Sequence, residues 1–120
     1  MATVLCTGVD RGLVETRRLI LEQAGHTVVI AADQASVINA CKQRAIDVAV
    51  ISQTVPPGSK KIISSLIRQH SSSAKILELH QAHQAKALED ADSWLEVPAG
   101  VPQDLADRVT ELAAQKRSQT

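Results

Sequence analysis

Few side chains in this sequence are of types that do chemistry, and they fall in short groups. One group is the loop Gly8-Val9-Asp10-Arg11-Gly12, directly after a β-branched run. Backbone N–H groups in such a loop are able to cradle phosphate. However, the loop lacks the Gly-x-Gly-x-x-Gly spacing and the Lys-Ser/Thr pair of a nucleotide site, so nucleotide binding is not expected. Asp10 is a lone carboxylate and better suited to cap a helix starting at Arg11 than to hold a hard cation. His70, His80 and His83 are separated by ten and three residues and fall on different elements, which is not the ligand spacing of a zinc site. Cys6 and Cys41 sit inside apolar patterns. They read as reduced, buried thiols, because a disulfide or metal site needs closer spacing or more partners. Lys60 and Lys61 read as a solvated patch beside Pro56-Pro57. The hydroxyl of Ser52 is a nucleophile only with a base or a metal beside it.

The elements that must position these groups follow from hydrophobic period. Val4 to Thr7 reads as a strand stopped by Gly8. A helix from about Arg11 to Ala24 follows, with Leu13, Ile20, Leu21 and Ala24 apolar and Gly25 as its cap. His26 to Ala31 is a second strand. Asp33 caps a helix carrying Val37, Ile38, Cys41 and Ala45. Asp47 to Ile51 is a strand apolar enough to be covered on both faces. Pro56-Pro57-Gly58 is a turn, and Ile62, Ile63, Leu66 and Ile67 define a helix ending near His70. Lys75 to Leu79 is the fourth strand, a weak helix is expected around Ala82 to Glu89, and Ser93 to Val97 is the fifth strand. The last helix should run from about Pro102 to Gln115, with Leu105, Val109 and Leu112 inward and a tail at 116–120 that frays.

Strand and helix thus alternate, with connections long enough for crossovers. This predicts an α/β fold: a doubly wound, five-stranded parallel sheet of flavodoxin-like order 2-1-3-4-5, with helices on both faces. In such sheets ligands bind beyond the carboxyl ends of the strands. Those ends carry Gly8-Val9-Asp10, Ala32-Asp33, Ser52-Gln53-Thr54, His80-Gln81 and Val97-Pro98.

At 120 residues, the chain reads as one domain spanning 1–120 with a single sizeable core. Thirteen basic and thirteen acidic side chains cancel, which argues against nucleic acid or an acidic membrane as the main partner. No apolar run approaches the ~20 residues that span a bilayer, and the start of the chain lacks the basic n-region of a signal peptide. A cytoplasmic location is expected. With one Trp and no Phe or Tyr, the core must be aliphatic.

The order and spacing of several stretches resemble response-regulator receiver domains, the phosphoacceptor modules of two-component signalling. The matching stretches are Leu21 to Asp33, Asp47 to Ser52 with Val55-Pro56-Pro57-Gly58, Ala91 to Pro98, and Pro102 to Leu105. The resemblance implies a demanding chemistry. An aspartate ending the third strand attacks a phosphoryl group, and acidic residues ending the first strand hold Mg²⁺. A Thr or Ser on the fourth strand and a Lys on the fifth grip the phosphoryl oxygens.

This sequence departs from that pattern at each step. The acidic pair falls on Gly8 and Val9, with Asp10 one place later. The acceptor position is Ser52, the Thr/Ser position is His80, and the Lys position is Val97. Trp94 stands at the aromatic-switch position and is a candidate partner contact. The interval from His80 to Val97 is also shorter than in receivers, which clips the helix within it.

The resemblance therefore implies a stand-alone pseudo-receiver, not an enzyme, with no metal and no cofactor. It would act by phosphorylation-independent contact with another signalling protein, or with itself. The face for a homodimer would be the helix around Ala82–Glu89, the fifth strand and the last helix. Two alternatives stand beside it: phosphorylation through Ser52 or Asp10, and sensing of a small ligand or nucleotide at the strand ends.

Overall fold

The computed structural model describes residues 2–98 and 102–118, with side chains up to 115. Its strands are β1 (Thr3–Thr7), β2 (Thr27–Ala31), β3 (Val48–Ile51), β4 (Lys75–Gln81) and β5 (Ser93–Val97). Its helices are α1 (Arg11–Gln23), α2 (Gln34–Gln43), α3 (Pro57–His70) and α4 (Gln103–Ser118). All strand pairs are parallel, in the order β2-β1-β3-β4-β5, as the alternating pattern predicts. β1 and β3 are central because both their edges are paired and their residues are aliphatic: all of β3 and Val4 to Thr7 of β1 are buried.

Side chains alternate across each strand, so the sheet has two apolar faces. Val4, Cys6, Val48, Val50, Leu77, Leu79 and Val97 pack under α1 and α4. Leu5, Ala49, Ile51 and Ile76 pack under α2 and α3, which contribute Val37, Ala40, Cys41, Ile63 and Ile67. Cys6 and Cys41 are both buried, and both are free thiols.

Local chemistry sets the helix ends. Asp10 and Asp33 occupy N-cap positions, accepting from Leu13 N at 3.1 Å and Ser36 N at 2.8 Å. Gly25 ends α1 at φ 94°, a conformation only glycine takes without strain, while Gly25 N and His26 N close the last turn onto Glu22 and Leu21. Pro57 opens α3, so the helix begins inside the expected turn.

Several expectations need correction. Ala24, Ala45 and Ile62, assigned to apolar helix faces, are exposed, and Arg17 is buried instead. Lys60 is not part of a solvated patch: it stands on the buried side of α3 and is 3% exposed, while its neighbour Lys61 is exposed. No helix forms around Ala82 to Glu89. That stretch is turns and bends, because its backbone N–H groups bond to a buried side chain, Glu78, in place of a helical ladder. α4 continues past the expected end at Gln115 to Ser118; residues 119–120 of the expected tail lie outside the described residues. Among the described residues, no helix is long and apolar enough to cross a membrane.

Candidate functional site

β1 and β3 run side by side and stop together, which brings Gly8 against Ser52. Ser52 N donates to Thr7 O at 3.1 Å and fixes that closure. The approach is tight. A Cβ placed on Gly8 would stand 2.9 Å from Ser52 Cβ and 2.9 Å from Val14 Cγ2, so any side chain there forces a shift. Val9 and Asp10 point to solvent, and the Asp10 carboxylate is engaged as the α1 cap. Val97 is buried and apolar. His80, on β4 opposite Glu96 of β5, is half-buried, with Nδ1 3.3 Å from Gln81 O.

The histidines do not converge. His70 ends α3, which returns antiparallel to the strands, so it lies at the opposite end of the sheet from His80 and His83. Among the described residues, no three His, Cys, Asp or Glu side chains are grouped to hold a metal.

What sits against Ser52 is a residue that the hydrophobic pattern did not single out. Arg17 is 8% exposed; its Nη1 donates to Ser52 Oγ at 3.0 Å and its Nη2 to Gln53 Oε1 at 2.7 Å. Ser52 Oγ also lies 3.0 Å from Thr54 Oγ1, so the hydroxyl belongs to a closed polar cluster. Burial lowers the Arg17 pKa, opposed by the nearby Cys6 and Asp10. Burial raises the Cys6 thiol to about 12, against the weaker pull of the Arg17 charge. The signal for Arg17 was present in the chain: Val14, Arg17 and Leu21 share the buried stripe of α1, and a cation there is anomalous.

A second cluster lies on the α2/α3 side of β4. Glu78 is fully buried, with its Oε2 2.8 Å from Lys60 Nζ, which also donates to Leu79 O at 2.9 Å. The carboxylate accepts from Ala87 N and Leu88 N, both at 2.9 Å. Burial raises its pKa, but Lys60 and the two N–H groups outweigh this and hold the carboxyl below its ordinary 4.5. Trp94, opposite Glu78 in β5, is half-buried and donates from Nε1 to Leu88 O at 2.8 Å, with Lys86 Nζ 4.9 Å from its ring centre. Its polar edge is satisfied internally. Trp94 thus helps hold the segment between β4 and β5.

Neither a protein-family model nor a curated protein matches this sequence. Solved structures do match in shape. A response regulator receiver domain protein (CheY-like) from Methanospirillum hungatei JF-1 is 16% identical, with a TM-score of 0.86 over 100% of this chain and 99% of its own. A receiver domain protein from Clostridium thermocellum is 18% identical, with a TM-score of 0.85 and both chains covered in full, 100% each. The signal receiver domain of an HD domain-containing protein from Pseudomonas fluorescens Pf-5 is 15% identical, with a TM-score of 0.83 and 98% of each chain covered. At these identities the likeness is one of fold, and it spans the whole chain: this protein has the receiver-domain fold of response regulators.

Proposed function

We propose that this chain is a pseudo-receiver, which passes a signal by protein–protein contact without being phosphorylated. The observation that carries the reading is the Arg17–Ser52 hydrogen bond. At the position the resemblance gives to the phosphoacceptor stands a hydroxyl that already accepts from a buried guanidinium. Among the described residues, its side-chain partners are Arg17, Gln53 and Thr54, none of them a general base, and a serine without one is a poor nucleophile. The metal-holding positions, Gly8 and Val9, offer no oxygen ligand from a side chain, and a carboxylate at position 8 has no room. Asp10, the remaining acid, is committed to its cap. Val97 offers no cation for a phosphoryl oxygen.

The partner is a second signalling protein or a second copy of the chain. It would dock on the face made by the segment between β4 and β5, β5 itself and α4. Arg108 ties two parts of that face together, donating to Ser93 Oγ at 2.8 Å and to Trp94 O at 2.7 Å.

Incubation with acetyl phosphate and Mg²⁺, read by intact-mass spectrometry and sedimentation equilibrium, tests the proposal. The expected result is no phosphate adduct and an unchanged association state. A stoichiometric adduct, lost in Ser52→Ala or Asp10→Asn, would overturn it.

A further inference from the structure

Between α1, α4 and the ends of β4 and β5 lies a cleft of about 270 Å³. Its lining includes the apolar Leu13, Ile20, Leu79 and Leu95 and the polar Arg17 and Gln53. We propose that this cleft is a binding site for a small monocarboxylate with an apolar body, its carboxylate on Arg17 and its hydrocarbon among the leucines.

Charge leads to this class of ligand. Among the described residues, Arg17 forms no ion pair, and its hydrogen-bond partners are the neutral Ser52 and Gln53. Asp10 influences it through space only, while capping α1. A buried charge without a counter-charge is costly, and Lys60, also buried, has one. A guanidinium carries five N–H donors, and two are used here, which leaves donors for a carboxylate. The apolar wall sets the rest of the ligand. Pockets for small molecules are mainly apolar with a few polar groups that fix orientation, and this one has that character. Its volume lies just under the ~300–1,000 Å³ of drug-sized sites, which limits the ligand to a short chain or one ring. The proposal goes beyond the pseudo-receiver reading and shares Arg17 with it; its test uses no phosphoryl donor and so fails or succeeds separately from the phosphorylation test.

Thermal melts of the full chain with hexanoate, hexanol, inorganic phosphate and hexylamine provide the test. Hexanoate should give a saturable upward shift of several degrees at high excess, and the other three should give less than a third of it. Arg17→Met should abolish the hexanoate shift, and Arg17→Lys should weaken it. Leu95→Trp, which fills the apolar end and leaves Arg17 in place, should abolish it too and serves if Arg17→Met does not fold. No shift with hexanoate would overturn the proposal. So would an equal shift with hexanol or phosphate, or a hexanoate shift that survives both Arg17→Met and Leu95→Trp.

Discussion

Lys60→Met is the perturbation whose cost the geometry sets most directly. It removes an ammonium 2.8 Å from a fully buried carboxylate and leaves Glu78 with only the Ala87 and Leu88 N–H groups. Breaking a buried pair from one side costs about 3–5 kcal/mol, and the two remaining donors place this variant near the lower end. Glu78→Leu should cost more: it strands the Lys60 ammonium and also removes the acceptor of two N–H groups, each worth about 1–3 kcal/mol if unsatisfied. The double variant removes both charges and leaves the two N–H groups and Leu79 O without these partners. Its loss should therefore be well below the sum of the two single losses. In urea unfolding with a slope of roughly 2 kcal/mol per molar, a 3 kcal/mol loss moves the midpoint down by about 1.5 M. The acid limb adds a second readout. Because the folded Glu78 carboxyl is held below its ordinary 4.5, its pairing stabilises the fold above that pH and the contribution disappears as pH falls below it. Lys60→Met removes the largest opposing influence, so its acid-induced loss should begin at higher pH. A midpoint within 0.3 M of the parent, or singles that add fully in the double, would refute this account.

Two further predictions concern the strand ends. Gly8→Ala should lose about 1–3 kcal/mol in the same urea experiment, because its Cβ would stand 2.9 Å from both Ser52 and Val14; a neutral variant would mean the closure is looser than described. Cys6, buried and raised to about 12, should not react with iodoacetamide in the native protein at pH 8 but should do so in urea; native labelling at Cys6, mapped by peptide mass, would count against its burial.

The sheet was legible because β1, β2 and β3 are short β-branched runs between breakers, and parallel order follows from alternation with helices. Caps at Asp10, Asp33 and Gly25 were legible for the same reason, since each depends on one residue type at one place. The stretch 82–92 was not. Its alanines suit a helix by propensity, but what shapes it is Glu78, a residue distant in sequence that takes the Ala87 and Leu88 N–H groups. The site divided in a similar way. The positions of Gly8, Ser52, His80 and Val97 at the strand ends followed from the strand pattern. Arg17 and Lys60 were not singled out, because charged residues are assigned to solvent by default; for Arg17 the spacing to Val14 and Leu21 on one helix stripe was the signal that could have found it.

The two cations buried among the described residues, Arg17 and Lys60, place different demands on the same fold. Lys60 is matched on the spot, and its partner Glu78 also holds the irregular segment between β4 and β5, so that pair has a structural reason to be there. Arg17 has no such reason. A leucine or methionine at its place would continue the Val14–Leu21 stripe and avoid burying a charge without a counter-ion, in a domain whose whole stability is about 5–15 kcal/mol. What Arg17 provides instead is a fixed positive charge at the carboxyl ends of β1 and β3, pressed against Ser52 and open on one side to an apolar cleft. In a receiver-type fold that is where the resemblance puts the chemistry of the phosphoryl group. A guanidinium built into the chain supplies there the positive charge that a bound metal and a lysine supply together in the pattern this sequence departs from, and it does so permanently. A permanent charge is no switch by itself. It becomes one only through something that binds it reversibly, and the charge and shape of the cleft specify an anion with an apolar body.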